Sequence, residues 1–93
     1  MTPEATGGAR VTLAVRYFAS IREDVGRSGE SLETAAGTLG ALREELIARG
    51  EPYAHALARG RALRMALDQV MADEATPLRQ GAEVAFFPPV TGG

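Results

Sequence analysis

No cysteine occurs among the 93 residues, which excludes a disulfide framework, a thiolate nucleophile and a cysteine-based metal site. His55 is the single histidine, and alone it does not furnish the ligand set of a transition-metal centre. It reads as a surface or helix-packing residue, and the expected metal content is none. No apolar run is long enough to span a bilayer, and the opening MTPEATGGAR lacks the hydrophobic core of a signal peptide. Those two absences lead to an expectation of a cytoplasmic protein without a membrane partner. Lysine is absent as well: all ten basic residues are arginine. A GC-rich coding bias accounts for this, although a chemical reading also exists.

The net charge of -2, with arginines scattered from Arg10 to Arg79, gives no field that would draw in nucleic acid. Apolar residues make up 45% and charged residues 24%, the balance of an ordinary globular domain. The length allows one core. Residues 1–9, small and glycine-containing, read as a disordered tail; 10–87 read as the folded body and 88–93 as a flexible C-terminal tail.

Val11, Leu13, Val15 and Tyr17 alternate with Thr12, Ala14 and Arg16, the pattern of a half-buried strand. ASIREDVG supplies about two helical turns, stopped by Gly26. SGESLETAAG reads as a loop with a weak strand around Leu32 to Ala35. The clearest helix follows: Thr38 suits an N-cap, and Leu39, Leu42, Leu46 and Ile47 form one apolar stripe. Gly50 ends it, with Pro52 just beyond. After a short helical piece around Tyr53 to Ala58, ALRMALDQVMA reads as two strands turning at Asp68 and Gln69. A last strand is expected from Glu83 to Phe87. The order implies an α+β fold, a mixed sheet packed on one main helix.

No side-chain constellation resembles an active site. Glu44–Glu45 and Glu23–Asp24 are sequence neighbours, so on a helix their carboxylates diverge, and they read as solvated faces. Gly7–Gly8 and the GRSG loop at 26–29 lack the lysine and hydroxyl residue of a phosphate loop. Ser20, Ser28 and Ser31 lack a nucleophile signature. Arg59, Arg61 and Arg64 form a loose basic cluster that reads as a solvated patch.

The chain closes on EVAFFPPVTGG. Two terminal glycines arise by chance in roughly half a per cent of chains at average usage, so context decides their meaning. The six residues from Pro88 to Gly93 reach at most ~20 Å when extended. Pro88 and Pro89 fix φ and stop the strand. Val90 and Thr91 favour extended backbone, and Gly92 and Gly93 fit a channel only as wide as the main chain. Such a tail delivers one group to a distant narrow pocket, the α-carboxylate of Gly93. A carboxylate is a poor electrophile, so another enzyme must activate it; attack on ATP gives an acyl-adenylate that a sulfur or nitrogen nucleophile displaces. In a strand Phe86 and Phe87 face opposite ways. Phe86 joins the core with Val84, and Phe87 lies on the open face beside Met71, where the two suit a docking patch.

FASIRE, TPLRQGAEV and above all AFFPPVTGG resemble the small-subunit family of molybdopterin synthase, ubiquitin-like β-grasp sulfur carriers. The likeness spans about residues 11–93. It departs in the nine-residue N-terminal extension and in the acidic DQVMADEA hairpin. The resemblance implies a domain that binds no cofactor itself. An activating enzyme would use ATP to adenylate Gly93, and sulfur from a persulfide donor would replace AMP to give a thiocarboxylate. The tail would then enter a large subunit and donate sulfur to cyclic pyranopterin monophosphate held there. Two loaded carriers would serve each pterin, in a heterotetramer of two small and two large subunits. Carried over residue by residue, Gly93 is the modified position and Gly92 its permissive neighbour, with Thr91 in the threaded segment. Phe87, Met71, Pro88, Pro89 and Val90 are the partner-binding residues.

Two other readings stay open. One is a Gly-Gly carrier serving thiazole, tRNA thiolation or sulfur amino-acid synthesis; the other is a β-grasp interaction module with a frayed end. On a carrier, the missing lysines acquire a chemical meaning, because an activated C-terminus acylates amines and a guanidinium stays protonated.

Overall fold

The computed structural model describes residues 10–89. The expected N-terminal tail, and Val90, Thr91, Gly92 and Gly93, lie outside the described residues.

Five strands, β1 (Val11–Tyr17), β2 (Gly29–Thr34), β3 (Arg64–Leu67), β4 (Val70–Ala72) and β5 (Glu83–Phe87), form one sheet in the order β2-β1-β5-β3-β4. β5 is central, parallel to β1 and antiparallel to β3. The sheet is therefore mixed, as the order of elements implied. Three helices accompany it: α1 (Ala19–Val25), α2 (Leu39–Ala48) and α3 (Tyr53–Ala56).

The alternation in β1 sends Leu13, Val15 and Tyr17 into the core, where they meet Leu32 of β2 and Val84 and Phe86 of β5. Leu39, Leu42 and Leu46 of α2 are fully buried against this face, while Ile47 is only partly covered. Thr38 caps α2, its hydroxyl accepting from the amide of Ala41 at 3.1 Å. Two further N-terminal amides of that helix donate to the 73–79 loop: Leu39 to the Thr76 carbonyl and Gly40 to the Glu74 carbonyl, at 3.0 and 2.9 Å. The helix end is thereby satisfied without solvent. Gly26 and Gly50, with φ of 91° and 92°, take the left-handed conformation that ends each helix.

Several boundaries differ from expectation. β2 starts at Gly29, earlier than the strand expected around Leu32 to Ala35, because its whole length pairs with β1 from Arg16↔Gly29 to Val11↔Thr34. The short helix stops at Ala56, where Leu57 leaves helical geometry and its carbonyl accepts from the buried Nε of Arg43 at 2.8 Å. The β3–β4 turn falls where expected: Asp68 and Gln69 both have positive φ, as a tight two-residue hairpin requires. Asp68 then braces it, accepting from the Glu83 amide at 2.9 Å and from Arg79 at 2.7 Å.

The surface charges are more engaged than the sequence suggested. Arg61 pairs with Asp24 at 2.6 Å, and Arg59 bridges Glu44 and Glu74. Glu45 accepts from the fully buried Thr34 hydroxyl. Asp24, Glu44, Glu45, Arg59 and Arg61 are thus not simply solvated, since residues distant in sequence meet across the helix–loop boundary, whereas Glu23 and Arg64 are exposed. His55 is exposed.

Candidate functional site: the root of the C-terminal tail

β5 is hydrogen-bonded to strands on both sides, and its pairing continues to Phe86 opposite Tyr17 and Phe87 opposite Arg64. It ends at Phe87, and Pro88 and Pro89 belong to no strand. Proline has no amide hydrogen to extend the ladder. The chain therefore leaves the middle of the sheet, from a strand anchored to its last residue.

The alternation within β5 divides the two phenylalanines. Phe86 is fully buried. Its ring stacks on that of Tyr17, with centroids 6.2 Å apart and planes at 14°. The Tyr17 hydroxyl donates to Glu30 at 2.8 Å, and Tyr53 donates to the same carboxylate oxygen at 2.7 Å. Arg27 and Arg49 approach the other oxygen at 3.2 and 3.4 Å. Burial alone would raise the pKa of Glu30, but the two phenol hydrogen bonds and the two guanidinium charges outweigh it and leave it below the ordinary 4.5. Burial, then the hydrogen bond to Glu30, pushes the Tyr17 phenol up. Tyr17 and Tyr53 accordingly stay neutral donors, and the platform beneath the tail is locked to β2, α2 and α3.

On the opposite face lie Phe87, Ala85, Ala66 and Met71, with Arg16 and Arg64. Phe87 is half-buried and Met71 is 57% exposed. They share the open face but are not adjacent. Met71 stands opposite Ala66, which stands opposite Ala85, two residues before Phe87. Two strand spacings, about 10 Å, separate them laterally. The immediate cross-strand neighbour of Phe87 is Arg64, a placement that residue alternation alone does not give.

Phe18, which the sequence did not single out, completes the edge. It follows β1, is 42% exposed, and lies beneath the Arg16 guanidinium at 5.8 Å from its ring centroid. Its amide donates to the Phe86 carbonyl at 3.1 Å, which fixes it beside the start of the tail. The available signal was the apolar pair Tyr17–Phe18: in an alternating strand, one of the two must leave the core. Farther along, Leu67, Val70, Met71 and Ala72 line a hollow of about 300 Å³ at the β3–β4 edge. Among the described residues no group of three or more histidines and carboxylates could hold a metal ion. The site offers an apolar edge, two cations and a central strand that gives way to two prolines.

A model of the ThiS family matches residues 15–93. The chain belongs to the ThiS family. Two relatives are each 41% identical over 81 residues, spanning 87% of this chain and 99% of theirs; both are named molybdopterin synthase sulfur carrier subunit, from Haemophilus influenzae and Escherichia coli. The resemblance carried by AFFPPVTGG thus extends over most of this ThiS-family chain. Among solved structures, one is a complex of subunits 1 and 2 of molybdopterin-converting factor from Helicobacter pylori. It is similar at a TM-score of 0.60 and 30% identity, over 89% of this chain and 100% of that one. SAMP1 from Haloferax volcanii shares the fold at a TM-score of 0.68 and 22% identity, over 88% and 99% of the two chains. The architecture is the ubiquitin-like β-grasp. Among the described residues, no helix is long and apolar enough to cross a membrane.

Proposed function

We propose that this ThiS-family chain is the sulfur carrier of molybdenum cofactor assembly, with Gly93 as the atom-bearing end. The observation that carries the reading is the termination of a central, doubly paired strand at Phe87, directly before Pro88–Pro89. A rigid platform of that kind suits presentation of the last residues to another protein. The pathway follows from the two relatives at 41% identity named as molybdopterin synthase sulfur carriers.

In this reading a cytoplasmic activating enzyme transfers AMP from ATP to the Gly93 carboxylate, the terminal sulfur of a persulfide donor displaces AMP to give an acyl disulfide, and a thiol cleaves its S–S bond, releasing the thiocarboxylate and leaving the donor and thiol as a disulfide. The thiocarboxylate enters the large subunit, whose own groups supply acid–base chemistry on the pterin. Loss of sulfur returns the carboxylate, so each pterin consumes two loaded carriers, and two small and two large subunits assemble. Support for a large-subunit partner comes from the Helicobacter pylori complex, in which subunits 1 and 2 occur together. Phe87, Met71 and the newly placed Phe18 form the docking edge. Gly92 and Thr91 thread the partner's channel, with Pro88, Pro89 and Val90 directing the tail. The chain binds no cofactor and contributes no acid or base.

Adding a single residue after Gly93 separates this from a non-carrier binding module. A carrier so extended loses all sulfur transfer while still folding; an extended chain that transfers sulfur normally overturns the proposal.

A further inference from the structure

Among the described residues every arginine except Arg22 and Arg64 has a carboxylate within ion-pair distance. Arg22 lies in the last turn of α1, where a cation complements the helix dipole. Arg64 has no such account. It is exposed at the start of β3, opposite Phe87. Asp73, which follows β4 on the neighbouring strand, turns its carboxylate instead onto the Ala75 amide at 3.0 Å and the Thr76 hydroxyl at 3.3 Å. Arg16, on the same open face, is only half engaged. Its guanidinium lies over the Phe18 ring, 5.8 Å from the centroid, and stands 3.7 Å from Glu83, too far for a hydrogen bond. A ring occupies the face of a guanidinium and leaves its N–H edge free to donate.

Between the two arginines the sheet surface is low. Arg16 stands opposite Ala85 and Ala85 opposite Ala66, which is two residues along β3 from Arg64. Two strand spacings across and two residues along separate the two Cα atoms by about 12 Å. Methyl groups floor this shelf, with Phe18 beside Arg16 and Phe87 beside Arg64. Such a shelf suits a protein carboxylate, taken between two charged forks and screened from water by the neighbouring rings. It does not suit a nucleic acid, because two isolated cations on a chain of net charge -2 cannot follow a run of phosphates.

We propose that Arg64 and Arg16 grip an acidic side chain of the large subunit over Ala85. This rests on the carrier reading and adds to it the chemistry of the partner surface. A large subunit without that carboxylate would bury two unpaired cations, so the same pair rejects wrong partners.

The test titrates the full chain against the purified large subunit, as wild type, Arg64→Lys, Arg64→Met, Arg64→Glu and Arg16→Met, with melting curves to establish that each variant is folded. Arg64→Met should raise Kd at least about tenfold, and Arg16→Met should shift it in the same direction. Arg64→Lys keeps the charge but loses the fork, and should fall between wild type and Arg64→Met. Arg64→Glu should bind most weakly of all. Folded Arg64→Met and Arg16→Met that bind as tightly as wild type, or more tightly, overturn the inference and leave the carrier reading standing, since an apolar partner surface gives that result. Equal losses for Arg64→Lys and Arg64→Met overturn it too when Arg64→Glu is no worse, because charge would then be irrelevant. A wild-type chain that fails to bind the large subunit overturns the carrier reading itself, and this inference with it.

Discussion

Tyr17 and Phe86 stack with nearly parallel rings at the end of the two parallel central strands, one residue before Phe87. The Tyr17 hydroxyl in turn is held by Glu30. Through this pair a carboxylate on an edge strand steadies the strand that carries the tail.

Replacing Glu30 with glutamine tests that coupling. It removes the charge facing Arg27 and Arg49 and weakens the acceptor for two phenols, and should cost about 1–3 kcal/mol near neutral pH. The pH dependence has a definite sign. The folded-state pKa of Glu30 lies below 4.5, so its charged form contributes stability above that pH and loses it as pH falls through the folded value. Urea unfolding should show the gap between wild type and Glu30→Gln narrowing below about pH 4.5. A gap that widens on acidification contradicts the assignment.

Arg43→Ala should destabilise the domain by about 3 kcal/mol or more, since it strands two carbonyls and leaves a cavity under α2. Chemical denaturation measures this directly. A cost under about 1 kcal/mol would mean that water replaces the guanidinium freely.

Phe87→Ala should weaken binding to the large subunit by about 2 kcal/mol, roughly thirtyfold in Kd, if Phe87 is a central anchor. Calorimetric titration reads it out, with a cooperative melting curve establishing that the variant is folded. An unaltered Kd removes Phe87 from the interface.

Gly92→Trp separates threading from folding. The variant should melt like wild type, yet fail to deliver sulfur. A loss of thermal stability would place Gly92 in the packed body and contradict a free tail.

Much of the fold was legible because its signals are local. The alternation of β1, the Thr38 cap with its leucine stripe, and Asp68–Gln69 at a tight turn each reside within a few residues. The end of β5 was legible for the same reason, as a strand and two prolines follow one another. What escaped depends on contacts between distant segments. Glu30 meets Tyr53, 23 residues away, and Arg61 meets Asp24, 37 away, so neither carboxylate reads as more than a surface charge. The strand order also matters: only the pairing of β3 with β5 brings Arg64, rather than Met71, opposite Phe87.

Intact-mass analysis of the chain after incubation with ATP, an adenylating enzyme of the ubiquitin-activating type, a persulfide donor and a thiol reductant tests the central claim most directly. The expected result is one oxygen exchanged for sulfur, mapped by fragmentation to Gly93 and lost again when the large subunit and the cyclic pterin are added. An unchanged mass under conditions where the enzyme loads an established carrier, or sulfur found anywhere but at Gly93, contradicts it.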